Sequence, residues 1–125
     1  DLQEKYHLSI IYITHDLSTT RYFSDRINIM YAAHIVESAE TREILDNPMH
    51  PYTKALLNVI PDPDPSNRFI IKEVPSGEPP SLINPPRGCR FNPRCPSFMK
   101  GLCDVKEPPI IEVSKNHYVK CWLYE

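Results

Sequence analysis

Four cysteines, Cys89, Cys95, Cys103 and Cys121, are all the cysteines of the 125-residue chain, spaced C-x5-C-x7-C-x17-C. Thiolates are soft ligands suited to zinc and to iron–sulfur centres. Pro93, Pro96, Gly101, Pro108 and Pro109 lie among them and break helices and strands alike. A segment this irregular needs a tie other than a hydrogen-bond ladder. Disulfides would need an oxidising compartment, and no signal-peptide apolar region or membrane-spanning run is legible. Structural zinc favours close C-x2-4-C pairs, which do not occur here. An iron–sulfur cluster accepts wider and more uneven spacing. Arg87, Arg90, Arg94 and Lys100 flank the first three cysteines and would suit a centre that leaves negative charge on its sulfurs. Spacing therefore favours iron–sulfur, with zinc, disulfide or free thiols left open.

His15 is the second residue that could do chemistry. It follows Leu8, Ile10, Ile11, Tyr12, Ile13 and Thr14, a β-branched and aromatic run without alternation. Such a run predicts a strand covered on both faces, as in a parallel sheet. Ligands of α/β folds gather where such strands end. An imidazole there can donate a hydrogen bond to a phosphate oxygen. It can equally be an ordinary loop histidine.

The surrounding elements are readable in outline. Residues 1–7 resemble the last turns of a polar helix, and a loop over Thr14 to Ser18 turns into a short helix ending near Phe23. Residues 26–31 and 34–38 read as a hairpin joined through Ala32 and Ala33. Thr41 starts a helix to about Asp46, and Pro51 opens another at a position that tolerates proline. Tyr52, Ala55, Leu56, Val59 and Ile60 form one apolar stripe, which packing alone would explain. Of 14 prolines, only Pro48 and Pro51 precede Pro61. A stiff connector is expected at 61–67, then a strand at 68–74, a turn at Gly77, and short strands near 110–113 and 117–119. A net charge of −2 and a pI of about 6.2 give no electrostatic case for nucleic acid or an anionic membrane.

Ile10-Ile11-Tyr12-Ile13-Thr14-His15-Asp16-Leu17 resembles the switch-histidine segment of ABC-transporter ATPases, and Met30 to Glu37 resembles the hairpin that follows it. His50-Pro51-Tyr52-Thr53-Lys54-Ala55-Leu56-Leu57 is similar to the start of the extra C-terminal region of oligopeptide and dipeptide importer ATP-binding subunits. Gly77-Glu78-Pro79-Pro80, Asn84 to Cys89 and Asn92 to Pro96 continue that likeness. The resemblance implies that Cys89, Cys95, Cys103 and Cys121 can hold a 4Fe-4S cluster, with zinc as the alternative. It implies that His15 contacts the γ-phosphate of ATP in a complete subunit. Two residues depart from the family, Ala33 and Ala39, where glycine is usual; a left-handed backbone at either would cost alanine roughly 1 kcal/mol. No G-x-x-x-x-G-K-S/T phosphate loop, signature Ser-Gly-Gly-Gln or aspartate-rich metal strand occurs in these residues.

The expected fold class is α/β: residues 1–60 as the C-terminal remnant of an ABC nucleotide-binding domain, and residues 61–125 as an irregular proline-rich cysteine domain. On this resemblance the chain is the C-terminal part of the energy-coupling subunit of a peptide importer, and is not an ATPase by itself. Its implied partners are transmembrane permease subunits and a second ATP-binding subunit at the cytoplasmic side of the membrane, with no nucleic acid. The alternative is a freestanding metal- or cluster-binding module with a structural or redox-sensing role; a third reading is a small disulfide-tied interaction domain. The expected strand at 8–14, lacking neighbours, predicts self-association.

Overall fold

The computed structural model describes residues 2–60, 75 and 77–125. The connector expected at 61–67 and the strand expected at 68–74 lie outside the described residues. Four strands form one antiparallel sheet: β1 (Arg26–Tyr31), β2 (His34–Glu40), β3 (Ile111–Ser114) and β4 (His117–Val119), in the order β1-β2-β4-β3. The sheet thus takes two strands from each side of the proline-rich stretch.

Strand β1 alternates exposed and buried residues, so Ile27, Ile29 and Tyr31 face the core. Opposite them in β2, the register slips between Ile29, paired with Glu37, and Met30, paired with Ile35. That bulge leaves Val36 without a direct partner and lets two sequence neighbours, Val36 and Glu37, both be buried. The turn between the strands holds Ala32 at φ 46 and Ala33 at φ 65. Two left-handed residues match the twist of a two-residue hairpin, although neither is glycine. Ala39, the other departure from glycine, lies in β2 with 1% exposure and has no positive φ.

Helix α3 (Thr41–Asp46) follows β2 directly and buries Ile44. Helix α4 (Pro51–Asn58) starts with proline in its first turn, and His50 caps it by accepting the Tyr52 amide on Nδ1 at 3.0 Å. Tyr52, Leu56, Leu57 and Ile60 pack on the core. The expected stripe fails at Val59, which is 54% exposed. The helix has ended by then, with Val59 as its C-cap. Thr53 is fully buried instead. Phe91, from the cysteine segment, sits in the same core, with ring contacts to Tyr31 at 5.0 Å and Tyr52 at 5.5 Å. The two halves of the chain therefore share one core.

The largest correction falls on the N-terminal segment. Helices α1 (Leu2–Tyr6) and α2 (Leu17–Thr20) form, but residues 8–14 make no strand. Ile10 is 64% exposed, Ile11 91%, Tyr12 59% and Ile13 93%. A parallel strand needs neighbours for its amides and carbonyls, and among the described residues no strand lies beside this run. Tyr12 finds only an edge-on contact with Phe23, at 5.0 Å.

The alanine turn generates a test. Ala33→Gly removes the left-handed penalty and should raise the unfolding free energy by about 1 kcal/mol. A urea midpoint that stays put or falls would show that the turn does not strain alanine.

Candidate metal centre

The four cysteines arrive on short pieces of irregular chain. Gly88 has φ +70, and a Cβ placed there would stand 2.3 Å from the Cys103 carbonyl oxygen. Only glycine lets these two passes of backbone come so close. The Cys89 amide then donates to that same oxygen at 2.8 Å, which fixes Cys89 beside Cys103. Cys95 follows the 3-10 turn Asn92–Arg94, and Cys121 follows β4 in extended conformation. Cys103 and Cys121 are buried, Cys89 and Cys95 partly so, and all four thiols are free rather than joined in disulfides.

The four thiols lie within electrostatic range of one another. Cys89 feels Cys103; Cys95 feels Cys121, Cys89 and Cys103; and Cys121 feels Cys89 and Cys103. All six pairs are accounted for. Burial pushes the thiols of Cys89, Cys95 and Cys121 up, Cys95 to about 11, and the neighbouring sulfurs add to the rise. Backbone amides oppose it: Phe91 and Asn92 at Cys89, Ser97 at Cys95, and Leu123 at Cys121. Amides turned towards a sulfur stabilise its thiolate. The donor set is thus of the right chemistry for a thiolate-bound centre. Among the described residues, however, no three His, Cys, Asp or Glu side chains are arranged to hold a metal ion.

The cationic surroundings differ from the sequence expectation. Arg90 donates to the Ala32 carbonyl and Arg94 to the Pro75 carbonyl at 3.1 Å. The cation that lowers the Cys89 thiol is Lys120, from the end of β4.

Sequence reasoning missed the groups that hold this segment against the sheet. Glu37 is 1% exposed, and its carboxylate accepts from the Met49 amide at 2.7 Å and the His50 amide at 2.9 Å. His117 Nε2 lies 2.7 Å from the same carboxylate, and its Nδ1 lies 3.6 Å from Glu43. His50 is itself buried, and burial lowers its pKa to about 4 despite the opposing charge of Glu37. Since its Nδ1 accepts the Tyr52 amide, the neutral ring carries its proton on Nε2. A glutamate within a strand pattern carries no signal that it will be buried.

His15 stands apart from the cysteines. It is exposed in the loop before α2, where Asp16 caps the helix by accepting the Ser18 amide at 2.9 Å. The Ser18 hydroxyl and amide hold the Asp16 carboxyl below its usual range. His15, Asp16, Leu17 and Ser18 form one wall of a cavity of about 220 Å³, and Leu56, Val59 and Ile60 form the other.

Comparison with known proteins gives a consistent result. Residues 36–103 match the family model described as oligopeptide/dipeptide transporter, C-terminal region. The oligopeptide transport ATP-binding protein AppF of Bacillus subtilis is 42% identical over 127 residues, covering 99% of this chain and 38% of that protein. The oligopeptide transport ATP-binding protein OppF of Escherichia coli is 44% identical over 123 residues, covering 96% of this chain and 36% of that protein. OppF of Salmonella typhimurium matches to the same extent. The chain therefore spans less than two fifths of the length of these relatives.

The raised thiols generate a pH test for the metal-free protein. A thiol whose folded pKa exceeds its unfolded value stabilises the fold below the unfolded pKa and loses that contribution as pH rises. For Cys95 the window runs from 9.0 to about 11. Urea midpoints should fall between about pH 8 and about pH 10.5, and fall less in Cys95→Ala. Equal losses in the two proteins would show that Cys95 does not titrate there.

Proposed function

The chain belongs to the oligopeptide/dipeptide transporter C-terminal region family, and on that premise we propose that it closes the ATP-binding, energy-coupling subunit of a peptide importer. Residues 1–60 would end the nucleotide-binding domain, and residues 61–125 would add the cysteine-bearing domain to it. The complete subunit would hydrolyse ATP beside a second ATP-binding subunit, both docked on transmembrane permease subunits at the cytoplasmic side. Among the described residues no helix is long and apolar enough to cross a membrane. In this reading the present 125 residues hydrolyse nothing alone, because none of them forms a phosphate loop.

Cys89, Cys95, Cys103 and Cys121 would hold a 4Fe-4S cluster. The observation that carries this is the mutual coupling of four free thiols, three of them faced by backbone amides. A single zinc ion draws its sulfurs to about 2.3 Å from one point, whereas a cluster keeps its ligands wider apart. The uneven cysteine spacing, with no close C-x2-4-C pair, suits the cluster better than zinc. When bound, the cluster supplies a four-point crosslink between pieces of chain that have no ladder of their own. His15 would act in the complete subunit, with its imidazole donating to the γ-phosphate where charge develops.

Protein prepared without oxygen should contain iron and acid-labile sulfide, with a broad absorption near about 400 nm. Each single serine variant of the four cysteines should lose most of that iron. If all four keep the wild-type metal content, the shared centre is wrong. In the complete subunit, His15→Ala should lower kcat about ten-fold or more while ATP KM stays within about two-fold. Unchanged turnover removes His15 from the mechanism.

The exposed run Ile10 to Ile13 would be covered in the isolated chain by a second copy. Burying ~400 Å² of it gains about 10 kcal/mol, against association costs of ~4–15 kcal/mol. Light scattering should therefore exceed the 14.5 kDa of one chain. A particle of single-chain mass at high concentration rules this out.

A further inference from the structure

Helix α4 runs from a junction held by the cysteine-bearing tail to the cavity that His15 lines. Its N-terminal end is held by the cysteine-bearing tail. The Tyr124 hydroxyl, three residues beyond Cys121, donates to the Met49 carbonyl at 2.7 Å. Glu37 accepts the next two amides, Met49 and His50, while His117 from β4 lies against the same carboxylate. His50 then caps α4 through the Tyr52 amide. At the other end, Leu56, Val59 and Ile60 face His15 across the cavity of about 220 Å³. Leu56 and Ile60 also pack on the core that buries Leu17, the first residue of α2.

We propose that α4 positions the His15 loop according to how the cysteine-bearing tail is seated, with Tyr124 and Glu37 as the positioning residues at its far end. The argument is mechanical. An α-helix is stiff along its axis, and eight residues carry a displacement over about 12 Å. Leu17, two residues after His15, is buried in the core on which Leu56 and Ile60 pack, and close-packed side chains pass such a shift on rather than absorb it. Residues 47–50 are the only chain between α3 and α4, so a hydrogen bond on Met49 bears directly on where α4 begins. None of these contacts requires metal. Ordering of the tail by a bound centre would act through them, so the state of the four cysteines would reach the residue that faces ATP. That last step rests on the proposed centre at the four cysteines and on the proposed role of His15.

The test reads the His15 ring by proton–carbon NMR in the 125-residue chain without metal. Tyr124→Phe removes one hydroxyl and should move the His15 ring signals while leaving those of His7, which lies beyond the end of α1, in place. Tyr118→Phe is the matched control, because the Tyr118 hydroxyl makes no hydrogen bond among the described residues. Ile60→Val trims the cavity wall itself and should move His15 whether or not the Tyr124 variant folds. In the complete subunit, Tyr124→Phe should lower kcat by roughly 2- to 30-fold at unchanged ATP KM and unchanged iron content. Shifts of the Met49 and His50 amides with His15 unmoved overturn the proposal, since the linkage would end in the loop. An equal His15 shift in Tyr118→Phe overturns it as well. If the ring moves as expected but His15→Ala hydrolyses ATP normally, the coupling stands and the catalytic reading of His15 fails.

Discussion

A carboxylate with almost no solvent contact holds the two halves of this chain together. Glu37 has 1% exposure and takes hydrogen bonds from two successive backbone amides, with a histidine ring against the same group. An ionised carboxylate in such a place is costly unless its lone pairs are filled. Here the donors come from three elements: the loop before α4, the cap of α4, and β4. Each element is held in place because the buried carboxyl oxygens need its hydrogen bond. The β2 bulge is what makes this possible, since it turns Glu37 inward next to Val36 without breaking the hairpin. Pairing of Glu37 with Val119 then sets β4 beside β2, and β4 leads directly to Cys121.

Around the thiols two tendencies compete. Burial and mutual repulsion favour protonated sulfurs, and the turned-in amides of Phe91, Asn92, Ser97 and Leu123 favour thiolates. In the metal-free chain burial prevails, most clearly at Cys95. Gly88 keeps this segment close, because a side chain there would push the Cys89 backbone off Cys103. Phe91 anchors the whole segment in the aromatic cluster with Tyr31, Tyr52 and His50.

Regular local patterns were legible from the residues alone. The hairpin, the start of α4 and the two last strands each follow from alternation, turn spacing or proline position, which are properties of a few adjacent residues. The four cysteines were legible as a candidate group only, because residue type and spacing can be read without a fold. Tertiary structure decided the remainder. Residues 8–14 carry a strand pattern yet form none, since a strand exists only where neighbours meet its backbone. Val59 left the apolar stripe because the helix stopped before it, and Thr53 entered the core because α4 is set by the Glu37 clamp rather than by its own pattern. The clamp itself, Glu37 with His117 across 80 positions, had no sequence signature. A buried polar contact between distant residues is fixed by strand register, and register is a property of the assembled sheet.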